Sequence, residues 1–299
     1  MAVVRLARRA FASAAGASGA WRLQLVSGAC ELPHPQKRST GGEDAWFIRG
    51  NTVGVADGVG GWARKGVDSG EYSRTLMSSA HAAVGSSGVV PTPLQVLTHA
   101  HGKVKCAGSS TACIVQLHEA ALRTINLGDS GFLLCRLLSS SDDDDSAATN
   151  ADSEDDEQTL KWQVVYEAPH QSHYFNCPYQ LGYNNGDSPE QGQRVELPTQ
   201  DGDLIVLGTD GLFDNLFPAQ ITSLLDTVLP PTPEIDAASM EKVASCIAHT
   251  AHKSAKGTKT KTPFAQAAAR AGYEFTGGKM DDITVVVSLV ASAAAAAKL

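Results

Sequence analysis

The sequence predicts an α+β domain built on mostly antiparallel sheets. Three observations carry this: many short strand-forming runs, helices clustered between them, and no regular strand–helix alternation of the kind a parallel sheet imposes. AWFIRG and NTVGVAD read as two strands joined by a turn. SGEYSRTLMSSAHAAV, residues 69 to 84, contains no proline and sets Leu76, Ala80 and Val84 on one stripe, which predicts a helix. A second helix falls near LQVLTHAHGKV. CIVQLHE and ALRTINLGDSGFLLCRL read as strands in hairpins, with LHEA as a turn. TLKWQVVYEA resumes the strand pattern, and the turn-rich stretch from Pro169 to Gly192 reads as loop. DLIVLGTDGLFDNL gives an apolar strand ending at an acidic turn. ITSLLDTVL and SMEKVASCIAHTAHKSA are helical, and DITVVVSLV closes the fold as a buried strand.

The 299 residues suit one domain better than two, with 42 % apolar and 19 % charged side chains. No run of 18 apolar residues occurs, so no membrane-spanning helix is expected. The net charge of −8 is local in origin. Nine acids lie between Asp142 and Glu157; without them, 23 acidic residues face 24 basic ones. Residues 139–157 read as a disordered acidic insertion, the alternative being a calcium or basic-partner site. The six cysteines lack CxxC spacing and are expected as free thiols rather than bridges.

Residues 1–22 carry Arg5, Arg8, Arg9 and Arg22, are rich in Ala and Ser, and lack acids. That composition points to an organelle transit peptide, for the mitochondrion first and the chloroplast second, against the plain alternative of an alanine-rich extension. The folded domain is expected over 23–292, with 293–299 as a tail. KSAKGTKTKTP is basic, but basic and aromatic residues do not interleave as nucleic-acid binding would favour.

Acids recur where strands meet turns. VGVADG, LIVLGTDG, GGKMDDITVVV and NLGDSG each place an aspartate there, and GGEDAWFI adds Glu43 and Asp44 before a strand. Aspartates cap turns well, so each alone is unremarkable. Four or five of them converging would repel one another unless cations neutralised them. Oxygen-only ligands point to Mg²⁺ or Mn²⁺ rather than zinc. Two such ions sharing a carboxylate would acidify and orient a water for attack on phosphorus. The glycines after Asp57 would leave room for a backbone ligand and for substrate.

Taken in order, GGEDAWF, GVADGVGGW, GSSTA, NLGDSG, GTDGLFDNL and GGKMDDITVVV resemble the metal-dependent PP2C-type protein serine/threonine phosphatases over residues 26 to 290. ADGVGGW, HYFNCPYQL, TPFAQAAARAG and GGKMDDIT resemble its PTC7-type branch, which has mitochondrial members and plant relatives. The resemblance implies a four-layer α-β-β-α sandwich of two antiparallel sheets flanked by helices. It implies hydrolysis of phosphoserine and phosphothreonine in proteins, with two Mg²⁺ or Mn²⁺ ions and a weaker third. Asp57 matches the carboxylate bridging the metals, and Gly58 the residue whose carbonyl joins one of them. Glu43 falls on that side, while Asp44 matches the residue that orients the water. Asp210 and Asp281 match ligands of the other ion, and Asp129 with Asp210 the third position. Asp282 stands where asparagine is common and is expected behind the ligands. Asp44, Asp57 and Asp210 are the expected catalytic set.

Two positions depart from the family pattern. The phosphate-binding arginine expected four residues before Glu43 is Ser39, leaving Lys37, Arg38 or Arg64 as candidates, with Lys65 nearby. The histidine that commonly follows Asp-Gly is Val59, so His170 and His173 become candidates for a proton donor. The alternative is a catalytically impaired, phosphoprotein-binding regulatory protein. Phosphorylated proteins are the expected partners, and a monomer is the default state.

Overall fold

The computed structural model describes residues 23–85, 90–139, 160–229 and 236–292. The expected leader (1–22), the tail (293–299) and all but the first residue of the acidic insertion lie outside them. In chain order the elements are β1 (Leu23–Leu32), β2 (Asp44–Arg49), β3 (Thr52–Asp57), α1 (Ser69–Val84), α2 (Pro93–Lys103), β4 (Ser109–Ser110), β5 (Ala112–His118) and β6 (Ala121–Leu127). There follow β7 (Gly131–Ser139), β8 (Leu160–Glu167), β9 (Ser172–Tyr174), β10 (Cys177–Pro178), β11 (Leu181–Gly182), β12 (Glu196–Pro198) and β13 (Leu204–Gly208). The chain continues through α3 (Asp210–Phe213), α4 (Pro218–Val228), α5 (Ala237–Ala255), α6 (Pro263–Arg270) and β14 (Ile283–Ser292).

Two five-stranded antiparallel sheets form the centre, ordered β1-β14-β13-β7-β8 and β12-β6-β5-β3-β2. Their facing sides bury Val53, Val55, Cys113, Val115, Phe132, Ile205, Leu207 and Val286 against one another. The outer face of the first sheet packs on α3, α4 and α5 through Val206, Leu212, Ile221, Leu225, Ile247 and Val285. The outer face of the second packs on α1 and α2 through Phe47, Tyr72, Leu76, Val96, Leu97 and Ile114. The result is the expected α-β-β-α sandwich. Central strands β13 and β14 are covered on both sides, which explains why LIVLG and ITVVVSLV do not alternate: apolar residues dominate both faces, and Thr284 and Ser288 are buried among them.

Local chemistry fixes the ends of elements. Asp68 accepts from the Gly70 N–H to start α1, and Thr92 with Gln95 forms a capping box before α2. The two-residue turn Gly50–Asn51 closes β2 onto β3, with Gly50 at φ 54°. Ser139, expected at the edge of the insertion, is instead the last residue of β7 and pairs with Leu160. The stretch 169–192, expected as loop, contains the short strands β9, β10 and β11. All six cysteines are free, as expected, with Cys113 and Cys135 buried. Among the described residues no helix is long and apolar enough to cross a membrane.

Candidate metal centre

Strand ends from both sheets meet at one edge of the sandwich, and the acids stand there. Register puts Asp44, first in β2, directly opposite Asp57, last in β3. Two carboxylates in that position repel unless something positive separates them. Asp210 opens α3 just beyond β13, and Asp281 and Asp282 precede β14. Asp129 lies in the turn where the chain crosses from β6 in one sheet to β7 in the other.

Backbone and hydroxyl contacts hold these segments together. The Asp57 N–H donates to Thr111 Oγ1 at 3.0 Å, the Thr111 N–H returns a bond to the Asp57 carbonyl at 2.9 Å, and Thr111 Oγ1 meets Ser130 Oγ at 2.8 Å. The GSSTA and NLGDSG segments therefore brace the Asp57 backbone. Thr209 donates from Oγ1 to Asp44 Oδ2 at 2.8 Å, tying one sheet to the other. The Gly58 N–H donates to the Glu43 carbonyl at 2.9 Å. A Cβ on Gly58 would stand 2.4 Å from the Ser69 carbonyl oxygen and 2.8 Å from that of Glu43, so close backbone approach requires glycine here. Asp282 is 2 % exposed and accepts from the His34 N–H at 2.6 Å and the Glu43 N–H at 3.0 Å. It thereby fixes the loop that carries Glu43.

Two ammonium groups lie among the acids. Lys37 Nζ is 2.5 Å from Glu43, 3.0 Å from Asp282 and 3.5 Å from Asp281. Lys279 Nζ is 2.5 Å from Asp210, 2.8 Å from Asp214 and 3.5 Å from Asp281. The carboxylates sense one another strongly. Asp57 is pushed well above the usual carboxylate range by burial first, then by Asp210, Asp44, Asp281 and Asp129. Burial, followed by Asp210 and Asp214, raises Asp129 as well. Asp214 rises to about 7 through burial, with Lys279 pulling it back. Burial would also raise Asp210, but Lys279 outweighs it and the carboxyl falls below its ordinary value.

Oxygen donors, a surplus of negative charge and unpartnered buried oxygens fit hard divalent cations. Asp44 Oδ1, Asp129 Oδ1 and Asp210 Oδ1 are buried and have no hydrogen-bond partner. Among the described residues, however, no three His, Cys, Asp or Glu side chains stand as a formed ligand group. The acids gather around the lysine nitrogens instead.

Every residue expected at the metal site (Glu43, Asp57, Gly58, Asp129, Asp210 and Asp281) is at this edge, together with Asp44 and Asp282. The phosphate candidates separate. Lys37 enters the cluster, whereas Arg38 is exposed near His252 and Arg64 is exposed on the turn after Gly60. The histidines separate too. His173 bonds Asp187 at 3.0 Å and stacks on Tyr179, while His170 lies edge-on to Phe213 and within electrostatic reach of Asp210. Trp62 donates to Ser109 Oγ at 2.7 Å and carries Lys65 over its ring. Sequence reasoning missed Thr209, Asp214 and Lys279. Asp214 had a signal, since Asp210 and Asp214 are four apart at a helix start and share a face.

No family model matches the chain, but individual relatives do. The probable protein phosphatase 2C 80 of Arabidopsis thaliana is 44 % identical over 275 residues, covering 90 % of this chain and 59 % of the relative. The human protein phosphatase PTC7 homolog is 35 % identical over 303 residues, covering 93 % of this chain and 90 % of the relative. Among solved structures, the photosystem II phosphatase PBCP matches with a TM-score of 0.73 at 30 % identity, covering 89 % of this chain and 98 % of that one. The chain belongs to the protein phosphatase 2C family. It spans little more than half the length of two Arabidopsis relatives, the probable protein phosphatases 2C 80 and 2C 55.

Proposed function

We propose that this chain hydrolyses phosphoserine and phosphothreonine in proteins. The observation that carries this reading is the gathering of eight carboxylates, three with a buried unpartnered oxygen, at one edge of a PP2C-family sandwich. Mg²⁺ or Mn²⁺ held there, two ions by the resemblance, would supply charge for the phosphoryl oxygens and an activated water nucleophile. Glu43, Asp57, Asp210, Asp281 and the Gly58 carbonyl would hold them, with Asp129 at the margin. Asp44, fixed by Thr209, orients the incoming water through its free oxygen. Asp282 does not touch substrate; it positions Glu43 and Lys37. Lys37, with a 28 % exposed side chain at the rim, takes the phosphate-binding role left open by Ser39, and Arg38 or Arg64 would have to move to share it.

Phosphate release from a phosphoserine peptide, titrated with Mn²⁺ and Mg²⁺, tests the proposal. The wild type should turn over without thiol dependence, and Asp57→Ala should lose nearly all metal-dependent rate. Full activity in the folded variant would refute it. A second reading, a phosphoprotein-binding regulatory protein without turnover, draws on Ser39, Val59 and the ammonium groups among the acids. Tight phosphopeptide binding with no released phosphate would establish that reading instead.

Two finer readings accompany the proposal. PTC7-like membership rests on ADGVGGW and GGKMDDIT together with the 35 % identity to the human homolog, set against 44 % to the Arabidopsis relative. Organelle targeting rests on the arginine- and alanine-rich first residues. Similarity to a photosystem II phosphatase favours the plastid over the mitochondrion expected from that composition. Residues 1 to 30 fused to a reporter decide between them, and cytosolic retention would count against both.

A further inference from the structure

We propose that Lys279 is a resident cation of the carboxylate centre, which occupies the Asp210–Asp214 side and limits exchangeable divalent ions to two. The inference rests on the metal-dependent reading above and adds a stoichiometry to it. The resemblance implied a weaker third ion on Asp129 and Asp210; at Asp210 the structure has an ammonium group.

Four features distinguish this lysine from an ordinary surface partner. Its Nζ reaches Oδ2 of Asp210, of Asp214 and of Asp281, three carboxylates drawn from two segments of the chain. Its side chain is only 18 % exposed, with Phe264 beneath the ammonium at 5.1 Å from the ring centre. Its backbone is clamped on both sides by the fully buried Asn215. The Lys279 N–H donates to Asn215 Oδ1 at 3.0 Å, and Asn215 Nδ2 donates to the Lys279 carbonyl at 2.8 Å. The same Asn215 amide also donates to the Gly211 carbonyl at 2.9 Å, so one side chain fixes the lysine relative to the turn bearing Asp210 and Asp214.

The fourth feature is how the oxygens divide. Lys279 takes Oδ2 of Asp210, while Oδ1 of the same carboxylate is buried without a partner. One oxygen is thus committed to a covalently tethered charge and the other is left for an exchangeable ion. Lys37 also meets three carboxylates, Glu43, Asp282 and Asp281, but it sits on the loop before β2 with a 28 % exposed side chain. A tethered ammonium needs no bulk metal to stay in place. Its loss would leave Asp210, Asp214 and Asp129 without a nearby positive charge, which is the condition under which such a site captures a further cation.

Isothermal titration with Mn²⁺, backed by electron paramagnetic resonance of the free ion, tests this on the full chain. Wild type should take up two ions. Lys279→Met should take up three, the third step being the weaker, and Lys279→Arg should return the count to two. Asp214→Asn added to Lys279→Met should abolish the third step. Three ions in wild type would overturn the proposal even where Lys279→Met fails to fold, as would an unchanged count in a folded Lys279→Met. Two ions in wild type without phosphate release would sink the phosphatase reading and leave this one standing. No uptake by wild type would overturn both.

Discussion

If the acidic edge holds two divalent ions, metal should stabilise the whole sandwich by an amount its charge balance makes large. Eight carboxylates (Glu43, Asp44, Asp57, Asp129, Asp210, Asp214, Asp281 and Asp282) face two ammonium groups, Lys37 and Lys279. With every group ionised, six negative charges remain uncompensated, and two divalent ions would cancel four of them. Each site filled to a hundred times its dissociation constant stabilises the native state by about 2.7 kcal/mol, so two independent sites contribute about 5 kcal/mol. For a domain of this size that raises the melting temperature by roughly 10–20 °C. The assay is thermal unfolding in chelator against millimolar Mn²⁺ or Mg²⁺, with ionic strength matched by potassium to separate binding from screening. Asp57→Asn, at the centre of the cluster, should cut the shift by at least half. Glu196→Gln, an exposed partner of Arg123, should leave it intact. A wild-type shift below about 2 °C, less than the smallest expected for one well-occupied site, would refute the reasoning. So would an equal shift in Asp57→Asn.

Gly58→Ala should destabilise by about 2 kcal/mol in urea titration, because its Cβ meets two backbone oxygens, whereas Gly61→Ala, with open space around it, should change stability by under about 0.5 kcal/mol. Arg136→Met should cost about 3 kcal/mol with Mn²⁺ uptake unaltered. It removes two bonds of 2.7 and 2.8 Å from the fully buried Asp203, which keeps Thr199 and the Gln200 N–H. If residues 140–159 are the unstructured insertion expected from their composition, replacing them by Asn-Gly should preserve phosphatase activity and raise stability by up to about 2 kcal/mol, since Ser139 and Leu160 are already paired and a shorter connection costs less entropy to close. Circular dichroism and peptide turnover on that variant check both parts.

Legibility in the sequence followed the physics of each element. The helix over 69–84 was readable because its apolar stripe has one period; the structure adds the Asp68 cap at its start. TVGVAD, LIVLG and ITVVV were readable because burial on both faces makes a strand rich in apolar, largely β-branched residues at successive positions. β1 was not, although it pairs with β14 over its full length. LQLVSGACEL has few β-branched residues, and its Gly28 is explained only by α5: a Cβ there would stand 2.1 Å from the Glu241 nitrogen. α6 was hidden as well, because PFAQAAAR is short and depends on a Thr262 cap and on Phe264 packing. The acids could be picked out one by one because each interrupts a strand pattern. Their pairing with Lys37 and Lys279 could not, since a lysine's choice of partner is settled by which loops meet in space.

That meeting explains why the centre lies where it does. Asp44 and Asp57 end strands of one sheet, Asp210, Asp281 and Asp282 border strands of the other, and Asp129 sits on the crossing between them. The bond from Thr209 to Asp44 and that from Glu43 to Asp282 both run between the sheets. The edge is closed by these bonds and by two lysines, each spanning separate chain segments, so the repulsion among carboxylates is met locally rather than by parting the sheets. A cation held among Asp57, Asp210 and Asp281 would join the same two layers. Charge that would otherwise push the sandwich apart at one end would then become a means of holding it together.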